Sequence, residues 1–381
     1  MLKKTTGALL LFRRRWASFI LAAVLALAIP ALTAQNQCVW TGVEKVVAIG
    51  DLHGDYENFV KILRGTGIVD DRLNWAAGKT HLVQMGDIMD RGPSKDDLPN
   101  ARDILDLIVR LEEEARAAGG RVHQLIGNHE EMNILGISFD YPEYVTVSQF
   151  KSFLPPDYRE TKEREFKKKA KAGLDIDQLW KDLMKNSDAR RQYTITFDDL
   201  YGRRIAQQNV AIKINDTVFV HGGFNEKYSA MGLENINNLY SQEFQRFFEG
   251  ELTGQPEILF APEGPLWNRD LALQDEALYL PIVQNVLANL QAARIVVAHT
   301  PTVDWSKMSR FGGRVWVIDT GISHYFSDIG GHLSALIIDK GNISVWGDNH
   351  EQKDDRNIGR AQCLSDGDYG RLRLMRPARV S

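Results

Sequence analysis

Four apolar residues, Val46, Val47, Ala48 and Ile49, run without a break and stop at the polar hexapeptide Gly50-Asp51-Leu52-His53-Gly54-Asp55. A short unbroken apolar run fits a buried strand. The segment 56–63 that follows is amphipathic, so Asp51 and His53 fall on a strand-to-helix turn, with Asp55 placed to cap the helix that begins at Tyr56. The same succession recurs downstream. Residues 81–85 and 121–126 read as two more strands, ending in Gly86-Asp87-Ile88-Met89-Asp90-Arg91-Gly92 and Gly127-Asn128-His129-Glu130. Between them, Ile104, Leu107, Ile108, Leu111 and Ala115 repeat at helical spacing within 100–119, and Gly119-Gly120 ends the helix. This order predicts a mainly parallel or mixed sheet whose polar loops all emerge at one edge.

The pattern changes after residue 139. Up to about 205 no strand signal stands out, Pro142, Pro155 and Pro156 interrupt the chain, and 158–171 is rich in both Lys and Glu, as suits a solvated helix face. A helical insertion at about 139–205 falls between two candidate active-site loops, where a cap over a pocket would lie. Alternation resumes at 210–214 and 217–220, a hairpin around Asn215-Asp216 that leads into His221-Gly222-Gly223. A helical region broken by Gly254, Pro256, Pro262 and Pro265 extends to about Leu290. Runs at 294–298, 315–318, 333–338 and 343–346 follow, the first ending at His299 and the second at Asp319-Thr320-Gly321. These last strands are expected to form the second half of a sheet pair, which makes the fold class α/β.

The first residues belong to no such pattern. Lys3, Lys4, Arg13, Arg14 and Arg15 precede an uncharged run from Trp16 to Ala34 that ends in Ala31-Leu32-Thr33-Ala34. Positive, apolar and small residues in that order describe a secretory signal, here 1–34, and a periplasmic protein. The competing expectation is an uncleaved membrane anchor, since the run approaches the roughly 20 residues that span a bilayer; Pro30 and the small residues favour cleavage and no stable membrane insertion afterwards. The formal charge of -4 for 381 residues falls to about -9 once that segment is lost, so composition gives no support for nucleic-acid partners. The rest divides into one domain at 35–349 and a ragged tail at 350–381. Cys38 and Cys363, the only two cysteines, lie near its ends and could be bridged in an oxidising compartment.

Asp51, His53, Asp87, Asn128, His221 and His299 each follow a predicted strand. Six oxygen and nitrogen donors at one kind of position suit two divalent cations sharing one carboxylate. Such a pair, roughly 3.5–4 Å apart, can clamp a phosphoryl group and lower the pKa of a bridging water. His81 and His123, at strand starts, read as structural, and His324 and His332 as surface or supporting residues.

The ordered set Gly50-Asp51-Leu52-His53-Gly54, Gly86-Asp87-Ile88-Met89-Asp90-Arg91-Gly92, Gly127-Asn128-His129-Glu130, His221-Gly222-Gly223 and Ala298-His299-Thr300 resembles the calcineurin-like metallophosphoesterases. More narrowly it looks like the phosphoprotein phosphatase family, in its bacterial Shewanella-like branch. The resemblance spans about 45–346 and implies a four-layer αββα sandwich of mixed sheets with a dinuclear site at one edge. It implies Asp51, His53 and Asp87 as ligands of one metal and Asp87, Asn128, His221 and His299 as ligands of the other, with Mn the first expectation and Fe or Zn also suited.

In that frame His129 is the candidate general acid and Asp90 the residue that orients its imidazole. Arg91, Asn128 and Arg269 are the candidate phosphate ligands. Glu130 either orients the site or simply begins the next helix, the latter being the first reading. Eukaryotic serine/threonine members carry an arginine before Gly-Asn-His-Glu, where this chain has Ile126, and phosphotyrosine is therefore a reasonable first substrate class. The expected reaction is hydrolysis of a phosphate monoester, on a protein or a small molecule, by a metal-bridging hydroxide. The rivals are a dinucleoside polyphosphate or nucleotide phosphohydrolase, which Asp90-Arg91-Gly92-Pro93-Ser94 also resembles, and a catalytically inactive metal-dependent binding protein.

Overall fold

Alternation within each short strand divides the apolar residues between two cores. In the strand Lys45–Ile49, Val46 and Ala48 join a cluster with Ile212, Phe219, Val296 and Ala298, whereas Val47 and Ile49 join a larger cluster with Phe59, Ile62, Ile104 and Ile108. The first cluster lies between two sheets; the second lies between a sheet and the helices outside it. Successive strand residues point to opposite faces, so a strand that is apolar throughout needs cover on both. The resulting architecture is the expected α/β fold with two mixed sheets packed face to face and helices outside them. The structure, a computed structural model, describes residues 37–92, 100–141 and 143–347.

Among the described residues there are eleven strands, β1 Val39–Trp40, β2 Lys45–Ile49, β3 His81–Gln84, β4 Arg121–Gln124, β5 Ala211–Ile214, β6 Thr217–Val220, β7 Arg294–Val297, β8 Ser309–Arg310, β9 Val315–Val317, β10 Ser334–Asp339 and β11 Asn342–Gly347. One sheet has the order β11-β10-β2-β3-β4 and the other β1-β5-β6-β7-β9-β8. In the first, β2, β3 and β4 are parallel, with Val46 opposite His81 and His81 opposite Arg121. Ile49, Gln84 and Gln124 end the three strands in register, which brings their C-terminal loops out at one edge, as the sequence implied.

Two expectations about the sheets are corrected. The runs at 333–338 and 343–346 do not complete the second sheet: β10 pairs antiparallel with β2, and β11 pairs with β10, in the first. Alternation specifies which faces a strand buries but not its neighbour. The crossover from β9 to β10 carries 318–333 over the loop edge, next to Asp51 and Asp55. The two-residue strands β1 and β8 were not foreseen, because neither is long enough to show a period.

The described residues of 128–205 are helical or irregular between β4 and β5. The charged helix Pro156–Ala170 buries only Phe166 and leaves its other residues exposed or half-buried, as its composition implied. Beneath it, Phe139, Phe150, Phe153, Tyr193 and Phe197 make a ring cluster with centroids 5.0–6.4 Å apart. Among the described residues no helix is long and apolar enough to cross a membrane. The proposed signal, the tail and Cys363 lie outside the described residues. Cys38 is buried and has no disulfide partner among the described residues.

Candidate metal centre and its acid pair

The loop edge is closed first by backbone. Leu52 N and His53 N both donate to Asp87 O at 2.9 Å, and Gly54 N donates to Ile88 O at 2.7 Å, so the two acidic loops are hydrogen-bonded to each other. Gly54 has φ +71, and a Cβ there would lie 2.8 Å from Gly92 Cα, a contact only glycine avoids. Asp87, Asp90 and Arg91 all adopt the left-handed region, at φ 52, 69 and 58. Three such residues in one pentapeptide cost about 1–3 kcal/mol each and persist only where the surroundings over-determine them.

Glu130 supplies much of that determination, which corrects the sequence reading. Its Oε2 accepts Asp87 N at 2.7 Å and Gly127 N at 2.9 Å, and its Oε1 accepts Ile88 N at 2.8 Å and Met89 N at 3.0 Å. It does begin the helix Asn128–Ile134, yet the same carboxylate folds the Asp87 loop. Nothing local in the sequence separates a helix-starting glutamate from one reaching 43 residues back.

All six predicted donors converge and are buried, none exposing more than 4 % of its surface. His53 Nδ1 is bonded to Met89 O at 3.0 Å and His221 Nδ1 to Met85 O at 2.9 Å, which turns both Nε2 atoms toward Asp87. His53 Nε2 lies 3.9 Å from Asp87 Oδ2 and 4.0 Å from Asp51 Oδ2; His221 Nε2 lies 3.3 Å from Asp87 Oδ1 and 3.0 Å from Asn128 Oδ1. Two triads close within 4.8 Å, Asp87 with His221 and His299, and Asp87 with His53 and His129. Asp87 is thus the shared member, while Asp51 stands at the margin and accepts His299 N at 3.3 Å.

The electrostatics suit cations. Burial, then the Asp319 and Asp87 carboxyls, push Asp51 well above the usual carboxylate range. Burial acts the same way on Asp87, but His221 and His129 outweigh it and bring that carboxyl well below its usual range. Burial and Arg91 hold His53 far down, and burial and Arg269 do so for His299. Neutral imidazoles have a free lone pair, and the buried His299 Nε2 has no hydrogen-bond partner. Carboxylate, imidazole and amide donors crowded together in one buried cluster are a set that divalent cations would satisfy. The chemistry of the donor set therefore fits the expected metals.

Beside the donors stands the predicted acid pair. His129 Nδ1 is 2.7 Å from Asp90 Oδ2, while its Nε2 faces Asp87 Oδ2 at 3.9 Å. Arg91 places Nη1 3.2 Å from His53 Nε2, and its guanidinium lies 4.7, 5.5 and 5.6 Å from the ring centroids of Tyr144, Tyr325 and Phe326. Tyr144 also packs on His129 at 4.7 Å. Arg269 enters differently from the sequence expectation of a phosphate clamp: its Nη1 donates to His299 O at 2.7 Å and Thr300 Oγ1 at 3.2 Å, fixing the strained His299 turn at φ 66.

Asp55 caps its helix as expected, accepting Asn58 N at 3.1 Å, and also binds the exposed His324 at 2.5 Å. His81 and His123 pair with each other at 3.0 Å away from these donors. The residues that sequence reasoning missed are Tyr144, Gln149, Tyr193, Tyr325, Phe326 and Asp319. Asp319 alone carried a signal, since it ends a strand as the donors do.

Residues 44–303, more than half the chain, match the calcineurin-like phosphoesterase family. An uncharacterised protein of Schizosaccharomyces pombe is 31% identical over 285 residues, covering 73% of each chain. Shewanella-like protein phosphatase 1 of Plasmodium berghei is 25% identical over 291 residues, or 74% of this chain and 68% of that one. Among solved structures, a cold-active protein tyrosine phosphatase of a Shewanella species superposes with a TM-score of 0.55 at 24% identity, covering 82% of both chains. That likeness bears on the fold.

Proposed function

The chain belongs to the calcineurin-like phosphoesterases and is a metal-dependent phosphatase, and from that premise we propose that it hydrolyses phosphate monoesters of aromatic hydroxyls, phosphotyrosine in proteins foremost. The observation that carries this reading is the position of Arg91. Its guanidinium is ringed by Tyr144, Tyr325 and Phe326 directly beside the His129–Asp90 pair. A planar cation matches phosphate oxygens in pairs, and aromatic walls favour a flat leaving group over an alkyl one. The names of relatives such as the Plasmodium phosphatase support a phosphorylated protein as the source of the ester.

Asp51, His53, Asp87, Asn128, His221 and His299 are the residues we assign to two divalent cations, which when bound supply positive charge to the phosphoryl oxygens and a lowered pKa to water. Manganese is the first choice for such thiolate-free donors, with iron or zinc as alternatives. Arg91 binds and orients the phosphoryl group, and Asn128 faces the same oxygens. His129 gives its Nε2 proton to the departing oxygen while Asp90, at Nδ1, stabilises the imidazolium and fixes its ring. The Asp87 loop, held by Glu130, keeps acid and ligands in one frame. We further propose that the signal-like segment at 1–34 exports the protein, so that its substrates lie outside the cytoplasm; fractionation of cells carrying the tagged full chain tests this.

The deciding experiment is a manganese titration with phosphotyrosine, phosphoserine and phosphothreonine peptides and a diadenosine polyphosphate. The reading expects kcat/KM highest on the phosphotyrosine peptide and lowered by Tyr144→Ala. A clear preference for the polyphosphate replaces the substrate assignment. Bound metal with no turnover on any arm removes it.

A further inference from the structure

Asp90 is a fully buried carboxylate whose oxygens meet more than His129. Its Oδ1 accepts Gln149 Nε2 at 2.8 Å and Asn133 Nδ2 at 3.0 Å, and its Oδ2 accepts Asn133 Nδ2 at 3.1 Å beside the 2.7 Å contact to His129. Gln149 grips the residue twice, because its Oε1 also accepts Asp90 N at 2.7 Å. The remaining N–H of Gln149 donates to Tyr193 Oη at 2.8 Å, and Tyr193 Oη donates to Asn133 Oδ1 at 2.6 Å. Asn133 Nδ2 reaches His129 O at 2.9 Å and closes the ring.

Chemistry fixes every direction in this ring. A flipped Gln149 would set its carbonyl oxygen against the Asp90 carboxylate and its amide protons against Asp90 N–H. A flipped Asn133 would set two oxygens together and leave the Tyr193 proton nowhere to go. One arrangement satisfies all donors and acceptors, and a fully satisfied buried network holds its members in one geometry. Gln149 lies on the helix Val147–Ser152 and Tyr193 on the helix Ser187–Phe197, both in the inserted region. The same region supplies Tyr144 O, which accepts Arg91 N at 2.7 Å. These bonds hold Asp90 and Arg91 in left-handed backbone that an unsupported loop would leave.

We infer that Gln149, Tyr193 and Asn133 are positioning residues for proton delivery to the leaving group, so that the inserted helices form part of the catalytic apparatus and not only a cover over it. None of the three faces the metal donors directly; they act through Asp90 on His129. This inference rests on the reading of His129 as the general acid. It follows that their removal slows only the step in which a proton reaches the departing oxygen. An ester with a basic alkoxide leaving group needs that proton, and a nitrophenolate scarcely does.

The test compares p-nitrophenyl phosphate with a phosphorylated primary alcohol on the full mature protein loaded with manganese, using Tyr193→Phe, which removes one oxygen and keeps the ring. The expected result is a fall in kcat of about tenfold on the alkyl ester and under about twofold on the nitrophenyl ester, with KM and bound metal unchanged. Gln149→Met, which keeps length and loses the double grip, is expected to show the same split more strongly. Equal losses on both esters, or none, overturn the inference and leave the ring a packing feature. His129→Asn run in parallel separates the two claims. If it discriminates between the esters and neither ring variant does, only the positioning role fails; if it does not discriminate, the general-acid reading fails and the positioning role with it.

Discussion

Glu130 Oε2 accepts the backbone N–H of Asp87 at 2.7 Å, joining the helix start after β4 to the loop after β3. The same carboxylate takes three further N–H groups, so its loss strands four buried donors at once. Each unsatisfied buried donor costs about 1–3 kcal/mol. Glu130→Ala is expected to lower stability by at least about 3 kcal/mol and to weaken manganese binding, read by chemical denaturation and by calorimetric titration. A variant with wild-type metal affinity would show that the loop folds without it.

Asp87 belongs to both triads of the donor cluster, whereas His53 and His299 belong to one each. Asp87→Ala is therefore expected to abolish binding of both ions, and His53→Ala or His299→Ala to leave one. Metal per protein after gel filtration, measured by inductively coupled plasma mass spectrometry, gives the count. Retention of two ions by Asp87→Ala would remove it as the shared ligand. Stripping the wild type with a chelator should abolish turnover and lower its melting temperature, since the buried carboxylates then face one another without counter-charge.

The proposed mechanism assigns His129 and Asp90 to the proton rather than to the metals. His129→Asn is expected to reduce kcat by about 10²–10⁴-fold on a phosphotyrosine peptide, with two ions retained. Asp90→Asn should lose a large share of that factor, because an amide facing Nδ1 cannot stabilise an imidazolium. Steady-state kinetics beside metal analysis decides; loss of metal in either variant would turn the pair into ligands.

The His81–His123 pair predicts an acid limit to stability. Burial, then the Arg121 guanidinium, brings the His81 imidazole down to about 4, and burial and His81 hold His123 far below its usual range. In the unfolded chain both titrate near the ordinary imidazole value of about 6.5. Between those values the unfolded state binds more protons, so stability is fully present above about 6.5 and falls as pH drops toward 4. Melting of the wild type against His81→Gln/His123→Gln is expected to show a steeper decline for the wild type across that window. Parallel curves would exclude the pair as its cause.

Much of this was legible before any coordinates. Asp51, His53, Asp87, Asn128, His221 and His299 each follow an apolar run, and parallel strands whose ends are in register deliver them to one edge. The supporting residues were not legible. Gln149 and Tyr193 sit in helices with no signal beyond solvated or apolar periodicity, and Glu130 was misread because a glutamate three residues into a helix has an ordinary local explanation. Arg269, expected at phosphate, also braces the His299 turn through Nη1, a bond that its place in the sequence did not announce.

The sequence by itself determined the longer strands and helices up to β9, without the two-residue β1 and β8, and the donor set, because periodicity and strand ends are local properties written in adjacent residues. Only the tertiary structure decided that β10 returns to β2, that Glu130 folds the Asp87 loop, and that the inserted helices grip Asp90. These are contacts between residues 41 to 294 positions apart, such as Glu130 with Met89 and Asp339 with Lys45. They depend on which buried groups find partners once the chain is packed. Hydrogen-bond satisfaction is a property of the whole interior, and no window of sequence contains it.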